Sequence, residues 1–157
     1  MTVLSETKQL EIRVLRDEDS SLLADFFDMV KSNGDDLFFH PHELSVNEAQ
    51  RICNHTGQDI YYGLWVGTKL VGYAILRGWD DGYTAPSLGI ALHPSYQGQG
   101  LGKMFMHFLH AAAKCYGASQ VRLKVYPKNE RALHLYRNLG YQFLGTENNQ
   151  LIGTIDL

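Results

Sequence analysis

The sequence predicts an α/β domain built on a mixed β-sheet. Short apolar or alternating segments of strand length are interleaved with longer segments of helical periodicity. Their order is one strand, two helices, three strands, a helix, a strand, a helix and two strands, which combines hairpins with helical crossovers. A glycine-rich turn also separates a short apolar strand from the longest predicted helix. The 157 residues suit one domain, spanning residues 1–157.

The N-terminal half predicts a strand, two helices and a hairpin. Alternation marks the strand, and apolar residues at helical spacing mark the first helix. Ser45 and Glu48 form a capping-box pattern that begins the second helix. A Gly67–Thr68 turn joins two strands into the hairpin. The predicted ranges are 9–16 for the first strand, 22–31 and 45–55 for the helices, and 59–66 and 69–79 for the hairpin.

The C-terminal half predicts four strands and two helices. Gly140 is typical of a helix C-terminus, and residues 147–149 predict the turn of a final hairpin. The predicted strands are 87–92, 120–125, 141–145 and 151–156, and the predicted helices are 101–116 and 130–139.

Composition excludes several classes of protein. The chain has 14 Lys and Arg against 17 Asp and Glu, a formal charge of −3, so we expect neither a nucleic-acid partner nor a membrane partner. No apolar segment approaches about 18 residues, and residues 1–16 lack the pattern of a signal peptide. The two cysteines, Cys53 and Cys115, have no zinc or disulfide spacing. We therefore expect a cytoplasmic enzyme or binding module.

The glycine-rich turn predicts an anion-binding site. Gly98, Gly100 and Gly102 lack a Cβ, so the backbone can approach a phosphate closely. The first N–H groups of the following helix have no internal partner, and the helix dipole places partial positive charge there. Lys103 adds a cation beside the turn. The turn alone leaves open the alternative of a tight connection with no ligand.

Two common phosphate-binding motifs do not fit this turn. A Walker loop needs Ser or Thr after Gly-Lys, where this chain has Met104. A dinucleotide fingerprint has G-x-G-x-x-G near the first strand, whereas the spacing here is G-x-G-x-G in mid-chain. If the turn binds a phosphate group, these mismatches favour a ligand of a class other than those bound by the Walker loop and the dinucleotide fingerprint.

Two blocks of the sequence resemble the GNAT family of N-acetyltransferases. Residues 92–102 are similar to its acetyl-CoA signature, with Gln97, Gly100 and Gly102 at the Q/R-x-x-G-x-G/A positions. A second block follows at the spacing typical of the family: Leu123, Val125, Asn129, Ala132, Leu135, Tyr136, Gly140 and Tyr141. The resemblance covers roughly residues 13–143, and the N-terminal half matches in pattern only.

The resemblance implies a sheet of six to seven strands with helices on both faces. In that fold the sheet splays between its fourth and fifth strands, and acyl-CoA enters the opening. The resemblance implies backbone contacts to the acetyl-pantetheine arm from Ile90, Ala91 and Leu92. It implies cofactor contacts, mostly to the pyrophosphate, from Gln97, Gly98, Gln99, Gly100, Leu101, Gly102, Lys103 and Asn129.

The family chemistry is direct attack of a neutral amine on the thioester of acetyl-CoA, with no metal. Tyr136 is our candidate for the proton donor to the leaving thiolate, because a phenol and a thiol have comparable basicity. The alternative is a core tyrosine on an amphipathic helix. Its position beside Asn129 and Leu135 in the second block favours the functional interpretation.

The general base is not identified by the sequence. Protein N-terminal acetyltransferases of the ribosomal-protein type carry a glutamate five residues before the asparagine, and this chain has Lys124 there. An ammonium group cannot accept a proton, so that substrate class is in doubt. The other candidates are a water relay and the loop residues Asp80, Asp81, His40, His42 and Glu43.

Two loops are candidates for the acceptor site. His40 and His42 follow two phenylalanines between the predicted helices, where the ring nitrogens would suit a sugar or another polar ring. Their alternative is a surface loop, and no third ligand predicts a metal there. Asp80 and Asp81 would bind a cationic amine or raise each other's pKa, and their alternative is a solvated turn.

These patterns predict transfer of an acetyl group to a primary amine of a small molecule. They resemble GNAT proteins of surface-polysaccharide and amino-sugar pathways, which places an amino sugar ahead of polyamines and aminoglycosides. A protein or peptide N-acetyltransferase and a non-catalytic acyl-CoA-binding module are the alternatives. Tyr61, Tyr62 and Trp65 suit a homodimer interface and suit a core equally.

Overall fold

Seven strands and four α-helices alternate along residues 8–157, the part of the chain that this computed structural model describes. We expect no signal peptide in residues 1–16. Residues 1–7 of that segment lie outside the described residues. The strands are β1 (Leu10–Val14), β2 (Ile60–Val66), β3 (Lys69–Arg77), β4 (Ser87–Leu92), β5 (Gln120–Val125), β6 (Gln142–Glu147) and β7 (Gln150–Asp156). The helices are α1 (Ser20–Ser32), α2 (Val46–Cys53), α3 (Leu101–Cys115) and α4 (Glu130–Leu139).

The predicted element order and the predicted mixed sheet are confirmed. The strands lie in the order β1-β2-β3-β4-β5-β7-β6, and only the β4–β5 pair is parallel. The final hairpin turns through Asn148 and Asn149, whose φ angles of 52° and 65° are left-handed, as a tight two-residue turn requires. Because β7 inserts between β5 and β6, the last strand of the chain is internal to the sheet.

Local sequence explains where the helices begin and end. The Ser45 hydroxyl accepts a hydrogen bond from the Glu48 N–H, which is half of the predicted capping box. Asn129 caps α4 by accepting from the Ala132 N–H, and Gly140 ends that helix in a left-handed conformation with φ of 103°.

The helices cover both faces of the sheet, as predicted. One hydrophobic cluster joins α1 and α2 to one face, and a second joins α3 and α4 to the other. Tyr61, Tyr62 and Trp65 are each at most 6% exposed and pack in these clusters. The aromatic side chains that suited a homodimer interface therefore belong to the core. Within residues 8–157, no helix has the length and apolar character needed to cross a bilayer.

A buried ion pair fixes the connection between β1 and α1. Asp19, only 3% exposed, accepts hydrogen bonds from both terminal nitrogens of Arg13, at 2.6 and 2.8 Å, and from the Arg16 N–H. The Arg13 guanidinium lies 3.9 Å from the centre of the Trp65 ring. The hydrogen bonds from Arg13 are the main reason that the pKa of the Asp19 carboxyl is lowered.

We expect Asp19→Asn to lower the free energy of unfolding by about 2 kcal/mol at pH 7, because it removes the buried charge partner of Arg13 and leaves the exposed Glu11, at 3.6 Å, in its place. A carboxyl whose pKa is lower in the folded chain than in the unfolded chain stabilises the fold at pH values above its pKa in the unfolded chain. This stabilisation is lost as the pH falls through the pKa of the folded chain. The gap between wild type and variant in urea unfolding should therefore shrink below about pH 4. The exposed neighbour Glu18→Gln serves as the control, and a gap that stays constant with pH would contradict the assignment.

Candidate active site

The sheet opens between β4 and β5. These strands share a single pairing, Ser87 with Arg122, and diverge beyond it. β3 pairs with the other edge of β4 as far as Leu92. Backbone groups of successive residues face opposite edges of a strand, and the Pro86 carbonyl accepts from the Arg122 N–H on the β5 side. The N–H and C=O of Ile90 therefore face the open cleft, where an extended ligand can bond to them, whereas those of Ala91 face Tyr73 of β3, contrary to the contact that the resemblance implied.

A cavity of about 570 Å³ fills this cleft, within the range of small-molecule sites. Most of the cofactor residues implied by the family resemblance line it: Ile90, Ala91, Leu92, Gln97, Gly98, Gly100, Gly102, Lys103 and Asn129. Gln99 and Leu101 do not line it. The Gln99 side chain donates to the Ser95 carbonyl at 3.3 Å, and Leu101 packs against the core.

The glycine-rich turn places the N-terminus of α3 at this cavity. Gly98 and Gly100 have φ angles of 76° and 81°, in the left-handed region that glycine adopts without strain. Gly100 is the N-cap, and no side chain in the described range 8–157 caps the helix there. The first N–H groups of α3 therefore remain available to a bound anion.

Two cationic side chains lie at helix N-termini, where the helix dipole disfavours positive charge. Lys103 and Arg131 lie in the first turns of α3 and α4, near the positive ends of these helices, and both line the cavity. Arg131 donates to the Gln97 side-chain oxygen at 2.8 Å, and a Cβ at Gly98 would lie 3.3 Å from its Nη2. Arg131 is not among the residues predicted from the sequence, although a cation in the first turn of a helix is itself a signal of an anionic ligand.

Tyr136 lines the same cavity from α4. It is 7% exposed, and burial raises the pKa of its phenol to about 12. Among residues 8–157 no side chain is hydrogen-bonded to its hydroxyl, whereas the neighbouring Tyr141 hydroxyl lies 2.6 Å from His110 Nε2. Tyr136 is therefore a protonated phenol in the cleft with an uncommitted hydroxyl.

A second cavity of about 200 Å³ adjoins the first. His40 lines it, with its Nε2 at 2.7 Å from the Tyr126 hydroxyl. The lining residues common to both cavities mark their junction: Phe38, Phe39, Leu88, Gly89 and Lys124. The two cavities thus meet at the point where β4 and β5 separate.

The second histidine of this loop, His42, serves the protein interior. Its Nδ1 donates to the Glu43 carbonyl at 2.6 Å, so the neutral ring accepts at Nε2 from the buried Tyr73 hydroxyl at 2.8 Å. Burial lowers the pKa of His42, which favours this neutral form. Both ring nitrogens are committed, and His42 lines neither cavity, so its predicted contact with a substrate gains no support from the geometry.

Asp80 and Asp81 line neither cavity. The Asp80 carboxylate accepts from the Gln58 N–H at 2.6 Å and lies 2.8 Å from His55 Nε2, which ties two loops together. The expectation of a raised pKa is wrong for Asp80. Hydrogen bonds from backbone N–H groups, that of Gln58 first, lower the pKa of this carboxyl instead.

Lys124 lies on the wall between the two cavities, paired with a carboxylate that the sequence analysis missed. Its Nζ is 2.9 Å from Glu147 Oε1, and Arg122 Nη2 is 2.9 Å from Glu147 Oε2. The hydrogen bond from Lys124 is the main cause of the lowered pKa of the Glu147 carboxyl. No local pattern joins these residues, because the pairing of β5 with β7 and of β7 with β6 brings them together.

A split mixed sheet with a glycine-rich turn at the gap defines an acyl-CoA-dependent N-acyltransferase. The chain belongs to the acetyltransferase (GNAT) family, whose sequence model matches residues 23–141.

Relatives and solved structures agree with this family. A spermine/spermidine N(1)-acetyltransferase of Bacillus subtilis is 27% identical over 128 residues, covering 70% of this chain and 80% of the relative. The PaiA N-acetyltransferase of Thermoplasma acidophilum, solved with coenzyme A, has a TM-score of 0.76 at 20% identity, covering 95% of this chain and 99% of that one. A GNAT acetyltransferase of Streptococcus pneumoniae reaches 0.80 at 19% identity with the same coverage. At these identities the structures establish the fold.

Proposed function

We propose that this protein, acting as one transferase domain, moves the acetyl group of acetyl-CoA to the primary amine of a small molecule. The observation that carries the proposal is the junction of two cavities where β4 and β5 diverge. The larger cavity has an anion site at one end and Tyr136 in its wall. The smaller one gives an acceptor access to the same point.

The larger cavity has the groups that acetyl-CoA requires. The pyrophosphate would bind the N–H groups at the start of α3, with Lys103 and Arg131 as counter-charges. The pantetheine amides would bond to the open edge of β4 at Ile90, as an added strand would. Asn129 holds the first turn of α4 in place beside this path.

The leaving group would be protonated by Tyr136. Attack by the amine nitrogen forms the new N–C bond, and collapse breaks the C–S bond with its electrons on sulfur. The Tyr136 phenol, whose pKa burial raises to about 12, is protonated at neutral pH and can donate its proton to that thiolate. The proton that the attacking nitrogen loses on forming the amide would pass through a water relay and restore the phenol. This role is what distinguishes the proposal from a non-catalytic acyl-CoA-binding module on the same fold.

The proposal also specifies the class of acceptor, a small-molecule amine. A small amine is supported by the spermine/spermidine acetyltransferase relative and by the limited volume of the second cavity, about 200 Å³. An amino sugar remains our prediction from the sequence, and a peptide acceptor remains the alternative. Lys124, where some protein acetyltransferases carry a glutamate, argues against the peptide.

An acceptor screen with detection of the released coenzyme A thiol tests the function. The panel contains amino sugars with and without phosphate, amino acids, polyamines, aminoglycosides and peptides. We expect turnover with at least one small amine and coenzyme A binding by calorimetry. Turnover confined to peptides would favour the protein acetyltransferase, and binding without any turnover would favour the non-catalytic module.

Arg131→Gln should weaken coenzyme A binding about tenfold, because it removes one charge-assisted contact to a phosphate. The calorimetric Kd of wild type should also rise with salt more steeply than that of the variant. Arg137→Gln is the matched control on the same helix, since Arg137 lies over the Phe143 ring and away from the cavity. Equal losses in the two variants would remove Arg131 from the cofactor site.

A further inference from the structure

The smaller cavity is lined by cations. Arg77 and Lys124 line it together with His40 and the polar residues Ser87 and Gln150, and no Asp or Glu is among its lining residues. Lys124 alternates with Leu123 and Val125, which are buried in the core beneath α3 and α4. Its side chain therefore emerges on the opposite face, the same face on which Ile75 and Arg77 border the cavity.

A hydrogen bond fixes the charge of Arg77 beside the cavity. Arg77 Nη1 donates to the carbonyl of Pro41, itself a lining residue, at 2.7 Å. Within residues 8–157 no carboxylate lies within 4.0 Å of the Arg77 guanidinium. Glu48, on the α2 side of this face, is already paired with Arg51. The charge of Arg77 is thus left for a ligand.

The charges on the wall also favour an anion. Glu147 is shared by Arg122 and Lys124, so one carboxylate faces two cations, and Arg77 adds a third. Cationic side chains that line one cavity repel a polyamine, whose several ammonium groups would require carboxylates instead.

We propose that the acceptor amine belongs to a molecule that also carries an anionic group, a phosphate or a carboxylate, bound by Arg77 and Lys124. This inference rests on the proposed acetyl transfer and deepens it. A volume of about 200 Å³ has room for roughly seven waters, enough for an amino acid or the phosphorylated end of an amino sugar.

The same cations would help the chemistry. An amine attacks the thioester only when it is neutral, and nearby positive charge favours its neutral form. A site with Arg77 and Lys124 close to the amine therefore needs a weaker base than a site lined by carboxylates. This explains how Lys124 can stand at the position where some relatives of this family carry a glutamate base.

Matched acceptor pairs test the inference. Glucosamine 6-phosphate is compared with glucosamine, and serine with serinamide, by the kcat/KM for release of coenzyme A. We expect at least one anionic member to be preferred by about tenfold or more, and the two pairs distinguish phosphate from carboxylate. Equal rates within both pairs, preference for spermidine, or failure of every anionic amine while coenzyme A still binds would overturn the inference. Only a loss of coenzyme A binding or of all turnover bears on the proposed function itself.

Variants locate the preference. Lys124→Gln and Arg77→Gln should each lower kcat/KM for the anionic member about tenfold more than for its neutral partner, whose smaller loss reflects only the weaker effect on the amine, whereas Lys124→Arg should retain the preference. The swapped pair Lys124→Glu with Glu147→Lys keeps opposite charges at these two positions, removes the carboxylate partner of Arg122 and brings a carboxylate to the cavity, so it should reverse the preference. Lys114→Gln, at the far end of α3, is the control. An unchanged ratio in Lys124→Gln, Arg77→Gln and the swapped pair would overturn the assignment of the anion site.

Discussion

Tyr136→Phe should lower kcat for acetyl transfer by about 100-fold, the lower end of what a positioned proton donor contributes. The Kd for coenzyme A should change by less than threefold, because the ring stays in place and only the hydroxyl is lost. This hydroxyl has no hydrogen-bond partner among residues 8–157, so its removal leaves no buried group unpaired. Single-turnover release of the thiol, measured on acetyl-CoA and a saturating acceptor, separates this loss from product release.

The pH dependence sharpens this prediction. Burial raises the pKa of Tyr136 to about 12, so the phenol remains protonated from pH 6 to 9. The loss in Tyr136→Phe should therefore be nearly constant over that range. Tyr141→Phe is the control: its ring packs against Tyr136, but its hydroxyl lies 2.6 Å from His110 and outside both cavities. Comparable losses in the two variants would mean that Tyr136 acts through packing.

Most of the residues that line the candidate cofactor cavity could be predicted from sequence, because they lie in two short blocks of the chain. Residues 97–103 are one turn and the start of one helix, and their chemistry follows from glycine geometry and unpaired N–H groups. The second block is equally local, since Asn129 caps the helix that carries Tyr136. Periodicity also predicted the order of all eleven elements, because each covers its own stretch of chain.

The acceptor half could not be predicted because distant segments build it. Lys124 meets Glu147 only because β7 inserts between β5 and β6, and the order of strands in a sheet is not a local property of sequence. Similarly, the carboxylate of Asp80 accepts a hydrogen bond from the N–H of Gln58, which lies in a loop more than 20 residues away in the sequence. Residue types that suit a substrate equally suit such internal hydrogen bonds, and only the fold decides between them.

Gly89 lies at the junction of the two cavities, and it is the second position at which we expect a substitution to change kcat/KM for the acceptor strongly. Gly89 lines both cavities, and a Cβ there would lie 3.7 Å from Ile75 Cδ1 and from Phe39 Cε2, an ordinary van der Waals contact. Gly89→Ala should therefore be tolerated, with kcat/KM for the acceptor reduced by less than threefold. A longer side chain would extend into the space through which the amine reaches the thioester.

Gly89→Leu should lower kcat/KM for the acceptor by about 100-fold, since a displacement of about 1 Å at the reacting centre has an effect of this size. The Kd for coenzyme A should stay within about threefold of wild type, because the glycine-rich turn, where we propose that the pyrophosphate binds, lies at the far end of β4. Calorimetry and thermal unfolding, run on wild type, Gly89→Ala and Gly89→Leu, separate a blocked passage from a damaged fold. Rapid acceptor turnover by the leucine variant would mean that the amine reaches the thioester by another route, and that Arg77 and Lys124 do not line its path.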